Sequence, residues 1–165
     1  MYPDNLMASA STSSTIAREL SRYYKERHDT IVELVRPLSL EQTWTRPYPY
    51  GNSIGHLLLH LTGNLNYYIG TEIAGTGYVR NRPLEFSDPV HHPQELLLKN
   101  FADAVAMVRA TLAKQAEADW SAAYTAKGME QAGDRFYIFL ACAAHLSHHT
   151  GQIIYLCKQI ALKES

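Results

Sequence analysis

The stretch Ala144–Gln152, which reads AHLSHHTGQ, decides how the rest of the chain is interpreted. It lies within an apolar run from Phe136 to Leu162 that contains no proline and a single glycine, so the run predicts one helix of roughly seven turns. Residues four apart on a helix lie one above the other, and His145 and His149 therefore present two imidazoles on one stripe. This spacing is typical of two nitrogen ligands that a single helix offers to one metal ion.

The same stripe is also compatible with a purely structural role. Apart from the two histidines and Gln152 it is apolar and should face the core (Ile138, Ala141, Cys142, Ile153 and Leu156). Histidines on such a stripe are commonly hydrogen-bonded core residues, and two ligands alone do not hold a metal tightly. A metal site therefore requires a third ligand from another part of the chain.

The composition favours one globular domain. The chain has 165 residues, of which 46% are hydrophobic and 19% charged, and its net charge is −1. This balance predicts no binding of nucleic acid or of an anionic membrane, and no apolar run approaches the ~20 residues that span a bilayer. No signal peptide is evident, and Cys142 and Cys157 lie too far apart on one predicted helix to form a disulfide. We predict a cytoplasmic protein with a flexible tail over residues 1–11 and a single domain over residues 12–165.

Four long amphipathic helices are predicted, over residues 12–35, 53–73, 93–118 and 134–162. Ser39 and Gln42 predict a capping box and a short helical turn, whereas Ser53 and Asp134 predict helix caps. Residues 44–51, 74–92 and 119–133 should be connections, and the long middle one is of a kind often found over a site. With no strand predicted, the fold class is all-α, an up-down four-helix bundle with at least one long crossover.

The second predicted helix supplies the missing ligand. Metal sites in bundles are built from inward side chains on facing helices, and this helix carries His56 and His60, again four residues apart. His60 lies among Leu57, Leu58 and Leu61 on the predicted core side, which favours it as the ligand. His56, one turn earlier, stays an alternative ligand or a residue that lines the pocket.

These motifs together resemble the DinB/YfiT-like metalloenzyme superfamily. The resemblance rests on Asn52-Ser53-Ile54 with His60-Leu61, and on His145-x-x-His148-His149-x-Gly151-Gln152-Ile153. It extends over Leu20 to Leu162. A further set of residues is similar to one of its uncharacterised branches: Leu38-Ser39-x-Glu41-Gln42-x-Trp44-x-Arg46-Pro47, Gly63-Asn64 and Asn81-Arg82.

The resemblance implies a four-helix bundle in which His60, His145 and His149 hold one divalent metal ion. Zinc or nickel is the expected ion, with iron or manganese as alternatives. Relatives with known activity are transferases or isomerases that use low-molecular-weight thiols, so a thiol cofactor and a small-molecule substrate are expected here too. One departure concerns Thr150, which stands where many members have a basic residue and could alter the binding of an anionic substrate.

Other polar and aromatic residues are candidates for the pocket or for contacts behind the ligands. They are His56, His148, Gln152 and Trp44. Trp44, Tyr48 and Tyr50 could rim a pocket, although aromatic residues more commonly pack a loop onto the core. Gly151 would allow a helix or a ligand to approach closely. The adjacent His91 and His92 are predicted to be a solvated pair.

Three histidines without a carboxylate ligand leave coordination positions open, which is typical of catalytic rather than structural sites. No glutamate stands where metalloproteases or di-iron proteins place one, so the predicted role of the metal is to activate a bound water or thiol. We predict an enzyme that transfers a thiol or a related group to a small electrophile. A metal-dependent hydrolase and a non-catalytic metal-binding module are the alternatives.

A homodimer is also predicted. Exposed aromatic strips on bundle helices often mark partner surfaces. The first two long helices offer one in Tyr23, Tyr24, Tyr67 and Tyr68.

Overall fold

The computed structural model describes residues 11–162. Within this range the chain is helical and forms no strand, and its elements are α1 (Thr12–Val35), α2 (Leu40–Trp44), α3 (Ile54–Leu65), a π-helical segment (Asn66–Thr71), α4 (Leu84–Ser87), α5 (Gln94–Leu112), α6 (Glu117–Trp120) and α7 (Arg135–Leu162). The predicted flexible tail lies outside the described residues except for Ser11. The Ser11 side chain caps α1 by accepting a hydrogen bond from the backbone N–H of Ser14.

The four long helices form the bundle that the sequence predicts. Helices α1 and α3 each pack against both α5 and α7, so α1 and α3 lie across the diagonal of the bundle. The connection between them, residues 36–53, must therefore cross one end of the bundle. No described helix is long and apolar enough to span a membrane.

The predicted caps are present. Ser39 and Gln42 form the capping box of α2, with both reciprocal hydrogen bonds made. The Ser53 side chain accepts a hydrogen bond from the backbone N–H of His56 and begins α3, and Asp134 accepts one from the backbone N–H of Tyr137 at the start of α7. These caps set the phase of α3 and α7, and hence the direction in which their histidines point.

Two predicted helices end earlier than expected. The third long helix was predicted to reach residue 118, but α5 ends at Leu112 and the chain re-enters a helix only at α6. This break lets Trp120 become buried and donate from its indole nitrogen to the Ser13 side chain at 2.8 Å, a tertiary gain that outweighs the helix propensity of the alanine-rich segment. The second helix leaves α geometry after Leu65 and continues as the π-helical segment.

The tyrosines proposed as a partner surface are only partly exposed. Tyr24 is fully buried and donates its hydroxyl to the backbone carbonyl of Phe139 at 2.7 Å. Tyr68 is also buried, with 7% exposure. The interpretation of all four tyrosines as an exposed strip was therefore wrong, and Tyr23 and Tyr67 alone keep substantial exposure.

Candidate metal centre

Three histidines from two facing helices converge in the bundle. His60 comes from α3, and His145 and His149 come from successive turns of α7. One ring nitrogen of each lies within 4.8 Å of those of the other two, and the Nε2 atoms of His60 and His145 are 2.9 Å apart. We call these residues the histidine cluster. His60 and His149 are buried and His145 is half-buried, so the cluster lies below the surface but is not sealed.

Hydrogen bonds outside the cluster fix how two of its rings are oriented. Nδ1 of His60 lies 2.7 Å from a carboxylate oxygen of Glu85, and Nδ1 of His149 lies 2.7 Å from the side-chain oxygen of Gln152. Both partners are acceptors, so each Nδ1 carries the proton and donates it. Each ring is thereby left with an unprotonated Nε2, which is the form that binds a metal.

Glu85 is itself held by a buried ion pair. Arg80 donates from Nε and Nη2 to the two carboxylate oxygens at 2.6 and 2.9 Å, and both side chains are at most 7% exposed. Burial alone would raise the pKa of Glu85, but hydrogen bonds from His60 and Arg80 outweigh it and lower that pKa. The carboxylate behind His60 is therefore charged, and its hydrogen bond fixes the orientation of the imidazole ring.

The position of Glu85 depends on a glycine of α3. A Cβ atom at Gly63 would lie 2.2 Å from a carboxylate oxygen of Glu85, which is far inside van der Waals contact. Helix α4, within the long connection between α3 and α5, brings Glu85 onto this glycine and packs the Phe86 ring against His60 at 4.8 Å between centroids. The connection predicted to lie over a site thus contributes to the site itself.

The electrostatics of the cluster favour neutral imidazoles. Burial lowers the pKa of His145 to about 3, and the neighbouring histidines add to the effect. Burial also lowers the pKa of His149 to about 4, although the hydrogen bond to Gln152 acts in the opposite direction. At neutral pH both rings are therefore uncharged and their lone pairs are available without displacing protons.

His56, the alternative third ligand, points away from the cluster. Its Nδ1 lies 2.6 Å from the Ser53 hydroxyl and its Nε2 lies 3.3 Å from a guanidinium nitrogen of Arg46. Trp44 packs edge-on against His56 at 5.1 Å between ring centroids. Trp44 therefore supports the α2–α3 corner and lines neither of the cavities described below. A Cβ at Gly55 would lie 2.8 Å from the Trp44 ring, so this close packing also needs a glycine.

The two other candidates lie on the opposite side of His149. The Gln152 amide donates to Nε2 of His148 at 3.2 Å while its oxygen accepts from His149, so the three side chains form one chain of hydrogen bonds. His148 is exposed and, with Gln152 and three tyrosines, lines a cavity of about 470 Å³ (Tyr48, Tyr50 and Tyr155). We call this the aromatic cavity. Gly151 also lines it, and no atom of the described residues lies within 4 Å of a Cβ built there, so no helix makes use of the space at this glycine.

A larger cavity of about 850 Å³ opens onto the cluster from the other side. Its wall includes His60 and His145 together with Asn64, which lies one turn after His60 on α3. Three arginine and lysine side chains also line it, Arg80, Arg82 and Lys127, so we call it the cationic cavity. The π-helical segment contributes Tyr67 and Tyr68 to its wall, and π-helical turns are frequent at functional sites.

Several of these residues were missed at the sequence level. Arg80, Glu85 and Asn64 had no predicted role, and Asn64 was noted only as part of a motif with Gly63. Arg80 and Glu85 lie in a connection without periodicity, so only the tertiary fold shows that they meet His60. His91 and His92 were predicted to be a solvated pair, and His91 is exposed and His92 partly exposed. His91 also stacks on Trp44 at 4.8 Å between ring centroids, and His92 lies 3.1 Å from an Asp88 carboxylate oxygen.

The donor set fits a divalent ion. Imidazole nitrogens bind zinc at ~2.0–2.1 Å, so two of them on one ion lie at most about 4 Å apart, and the separation between His60 and His145 meets this limit. No thiolate or carboxylate completes the group among the described residues. Three imidazole ligands suit zinc, nickel, copper or iron, and they leave room for an exogenous ligand.

Facing helices of this all-α bundle bring three histidines together beside an open cavity, and the three-histidine group could hold a metal ion. The comparisons with known proteins agree with this architecture. Residues 23–153 match the DinB superfamily, and the chain belongs to that superfamily. Its structure is also similar to that of a conserved protein from Enterococcus faecalis, with a TM-score of 0.71 and 18% identity over 87% of this chain and 96% of the other. No curated protein matches the chain.

Proposed function

We propose that the protein is a divalent-metal-dependent enzyme that transfers a thiol or a related group to a small electrophile. The observation that carries this proposal is the convergence of His60, His145 and His149 beside a cavity large enough for a small molecule. Membership of the DinB superfamily supports it, because relatives with known activity use low-molecular-weight thiols. Zinc or nickel is the proposed ion.

The residues around the cluster have separate tasks in this proposal. Glu85 and Gln152 hold the Nδ1 protons of His60 and His149 and so keep both Nε2 atoms free for the ion. A bound divalent ion would lower the pKa of a coordinated thiol or water, so that the coordinated group is deprotonated at neutral pH. The walls of the cationic cavity bind the rest of the substrate and exclude part of the solvent.

The reacting thiol must come from a small molecule, because neither cysteine of the chain suits the role. Cys142 is fully buried, and burial raises the pKa of its thiol to about 12. Cys157 lies on the far side of α7 against the backbone of Leu34, and burial raises the pKa of its thiol as well. In the proposed reaction the sulfur of the small thiol bonds to the electrophilic carbon, the leaving group departs with its electron pair, and the thiol proton passes to solvent.

The open cavity favours catalysis over a structural ion. A structural site closes the coordination shell with protein ligands, whereas here two of the three histidines form part of a cavity wall. A metal-binding module with no substrate would not need a cavity of this size against its ligands.

The proposal is tested by measuring the metal content of the purified protein and then the turnover of a thiol with an electrophile. 1-Chloro-2,4-dinitrobenzene with N-acetylcysteine gives a coloured thioether and chloride. The metal-loaded wild type should accelerate this reaction or that of another electrophile in a panel, and His149→Ala should not. His91→Ala, at an exposed histidine that stacks on Trp44 and has no contact with the histidine cluster, is the matched control. Metal-loaded protein without activity across the panel would contradict the proposal.

We also propose that the protein forms a homodimer. Of the four tyrosines behind this proposal, Tyr23 on α1 and Tyr67 in the π-helical segment remain accessible to a partner, on different sides of the bundle. Light scattering at micromolar concentration should give twice the mass of one chain. A monomer at every concentration would exclude the dimer without affecting the proposed chemistry.

A further inference from the structure

The cationic cavity contains charges that the metal centre does not need. Arg80 is neutralised by Glu85, but Arg82 and Lys127 are exposed, and within residues 11–162 neither forms an ion pair. The described residues that line the cavity include no aspartate or glutamate. Because the whole chain carries a net charge of −1, this local positive charge is not a general property of the surface.

A second, independent feature lies deeper in the same cavity. Asn64 is 5% exposed, lines the cavity, and has a side-chain oxygen that forms no hydrogen bond with any described residue. A buried polar atom without a partner is costly, and few are left so in folded proteins. Its position one helical turn from His60 places this acceptor beside the histidine cluster.

The aromatic cavity differs from this one in character. Among the described residues its wall consists of three tyrosines, three other polar residues (Asn52, His148 and Gln152), leucines and glycines, with no arginine or lysine. A molecule that carries a negative charge is therefore attracted to the cationic side of the cluster and not to the aromatic side.

We propose that the cationic cavity binds a small molecule with an anionic group and a hydrogen-bond donor. Arg82 and Lys127 at the rim bind the anionic group, a carboxylate or phosphate. The Asn64 oxygen accepts a hydrogen bond from an N–H or O–H group of the same molecule close to the histidine cluster. This inference names the substrate class of the proposed function and rests on it. Two recognition points fix the orientation of the molecule, so that its reacting end faces His60 and His145.

Matched small thiols test the anionic group. The cobalt-loaded protein is titrated with 3-mercaptopropionate, 2-mercaptoethanol and cysteamine, which differ in charge but not in reacting group, and binding is read from the thiolate-to-cobalt absorption band. The anionic thiol should bind most tightly and the cationic one least. Arg82→Gln and Lys127→Gln should each reduce the ratio of the affinities for 3-mercaptopropionate and cysteamine by about two- to fivefold, as expected for exposed charges. Lys114→Gln, an exposed lysine outside the cavity, should leave it unchanged.

Asn64 is tested with a second pair of probes. N-acetylcysteine carries an amide N–H that 3-mercaptopropionate lacks, and both carry a thiol and a carboxylate. N-acetylcysteine should bind more tightly to the wild type, and Asn64→Leu should reduce this advantage by about three- to tenfold, the value of one hydrogen bond. Retention of the advantage in Asn64→Leu with unchanged circular dichroism would overturn the role of Asn64.

The outcomes separate this inference from the proposed function. Equal binding of the three thiols with a normal cobalt band would overturn the anionic substrate class and leave the thiol chemistry standing. If no thiol produces a band, the proposed thiol chemistry is contradicted. The charge preference is then measured by calorimetric titration of 3-mercaptopropionate against cysteamine, where equal affinities would overturn the inference.

Discussion

At the scale of single residues, two members of the histidine cluster depend on a partner outside it. Glu85 holds His60 and Gln152 holds His149, and both contacts are 2.7 Å long. Of these two partners, Glu85 is the more sensitive to substitution, because its charge is buried and balanced by Arg80. Outer partners of this kind orient the ligands and raise their basicity.

Glu85→Gln should weaken metal binding by about 10- to 100-fold, because the neutral amide orients His60 less strongly. It should also lower the free energy of unfolding by roughly 3–5 kcal/mol, since the buried guanidinium of Arg80 loses its counter-charge. Calorimetric titration with zinc and urea unfolding measure the two effects. Glu95→Gln, at an exposed glutamate in the first turn of α5, is the control. Wild-type metal affinity in Glu85→Gln would show that the carboxylate does not support the ligand.

At the scale of elements, α3 is shaped by what packs against it. Gly55 makes room for Trp44, Gly63 makes room for Glu85, and beyond Leu65 the helix widens into the π-helical segment. Helix α7 has no such contact at its own glycine, since a Cβ at Gly151 would meet no atom of the described residues within 4 Å. The two helices that carry the histidine cluster therefore tolerate substitution differently.

Gly63→Ala and Gly151→Ala form a matched pair. The new methyl group at position 63 must displace the Glu85 carboxylate, so this variant should lose both metal affinity and stability. The same change at position 151 should stabilise the helix by about 0.5–1 kcal/mol, because alanine is the better helix former and has space. Thermal melting with and without zinc measures both. Equal behaviour of the two variants would contradict the proposed packing of Glu85 on α3.

The element scale also shows what the sequence could predict. Helical periodicity predicted the three histidines of the cluster, because the spacing of residues along a helix determines the face on which each side chain lies. Ser53 and Asp134 marked where the two helices begin. Glu85 and Arg80 could not be predicted in this way, since they reach His60 through a connection whose path depends on tertiary packing. Trp120 illustrates the same limit, because its burial ends α5 before the alanine-rich segment would.

At the scale of the whole molecule, the buried core and the histidine cluster respond to pH in different ways. The apolar side chains that fill the bundle do not titrate, but burial lowers the pKa of His145 to about 3 and that of His149 to about 4. In the unfolded chain a histidine has a pKa of about 6.5. Below that pH the unfolded state binds protons that the folded state does not, so stability falls as the pH is lowered.

The metal-free protein should therefore lose stability progressively between about pH 6.5 and about pH 3, the pKa of His145 in the folded state. Urea unfolding in the presence of a chelator at several pH values measures the slope. The double variant His145→Ala/His149→Ala should show a shallower slope, because two of the groups responsible are absent. His28→Ala, which removes a histidine packed against Phe101, serves as the control for a general effect of histidine loss. Identical slopes in the double variant and the wild type would contradict the pKa values of the cluster.

The proposed activity requires that His60, His145 and His149 together hold one divalent ion. The bundle buries a large apolar core, so it should stay folded without the ion, unlike a small zinc domain. Metal binding should still add about 3–4 kcal/mol to the free energy of unfolding when the free ion is at 100 to 1,000 times its dissociation constant.

The most direct test of this metal centre is calorimetric titration of the chelator-treated protein with zinc, combined with circular dichroism of each variant. The wild type and His56→Ala should each bind one ion per chain. His149→Ala should lose more than about 100-fold in affinity, exceeding the effect of an outer partner, while its helical signal is retained. Unchanged zinc binding in His149→Ala, or loss of binding in His56→Ala instead, would contradict the assignment of the metal centre.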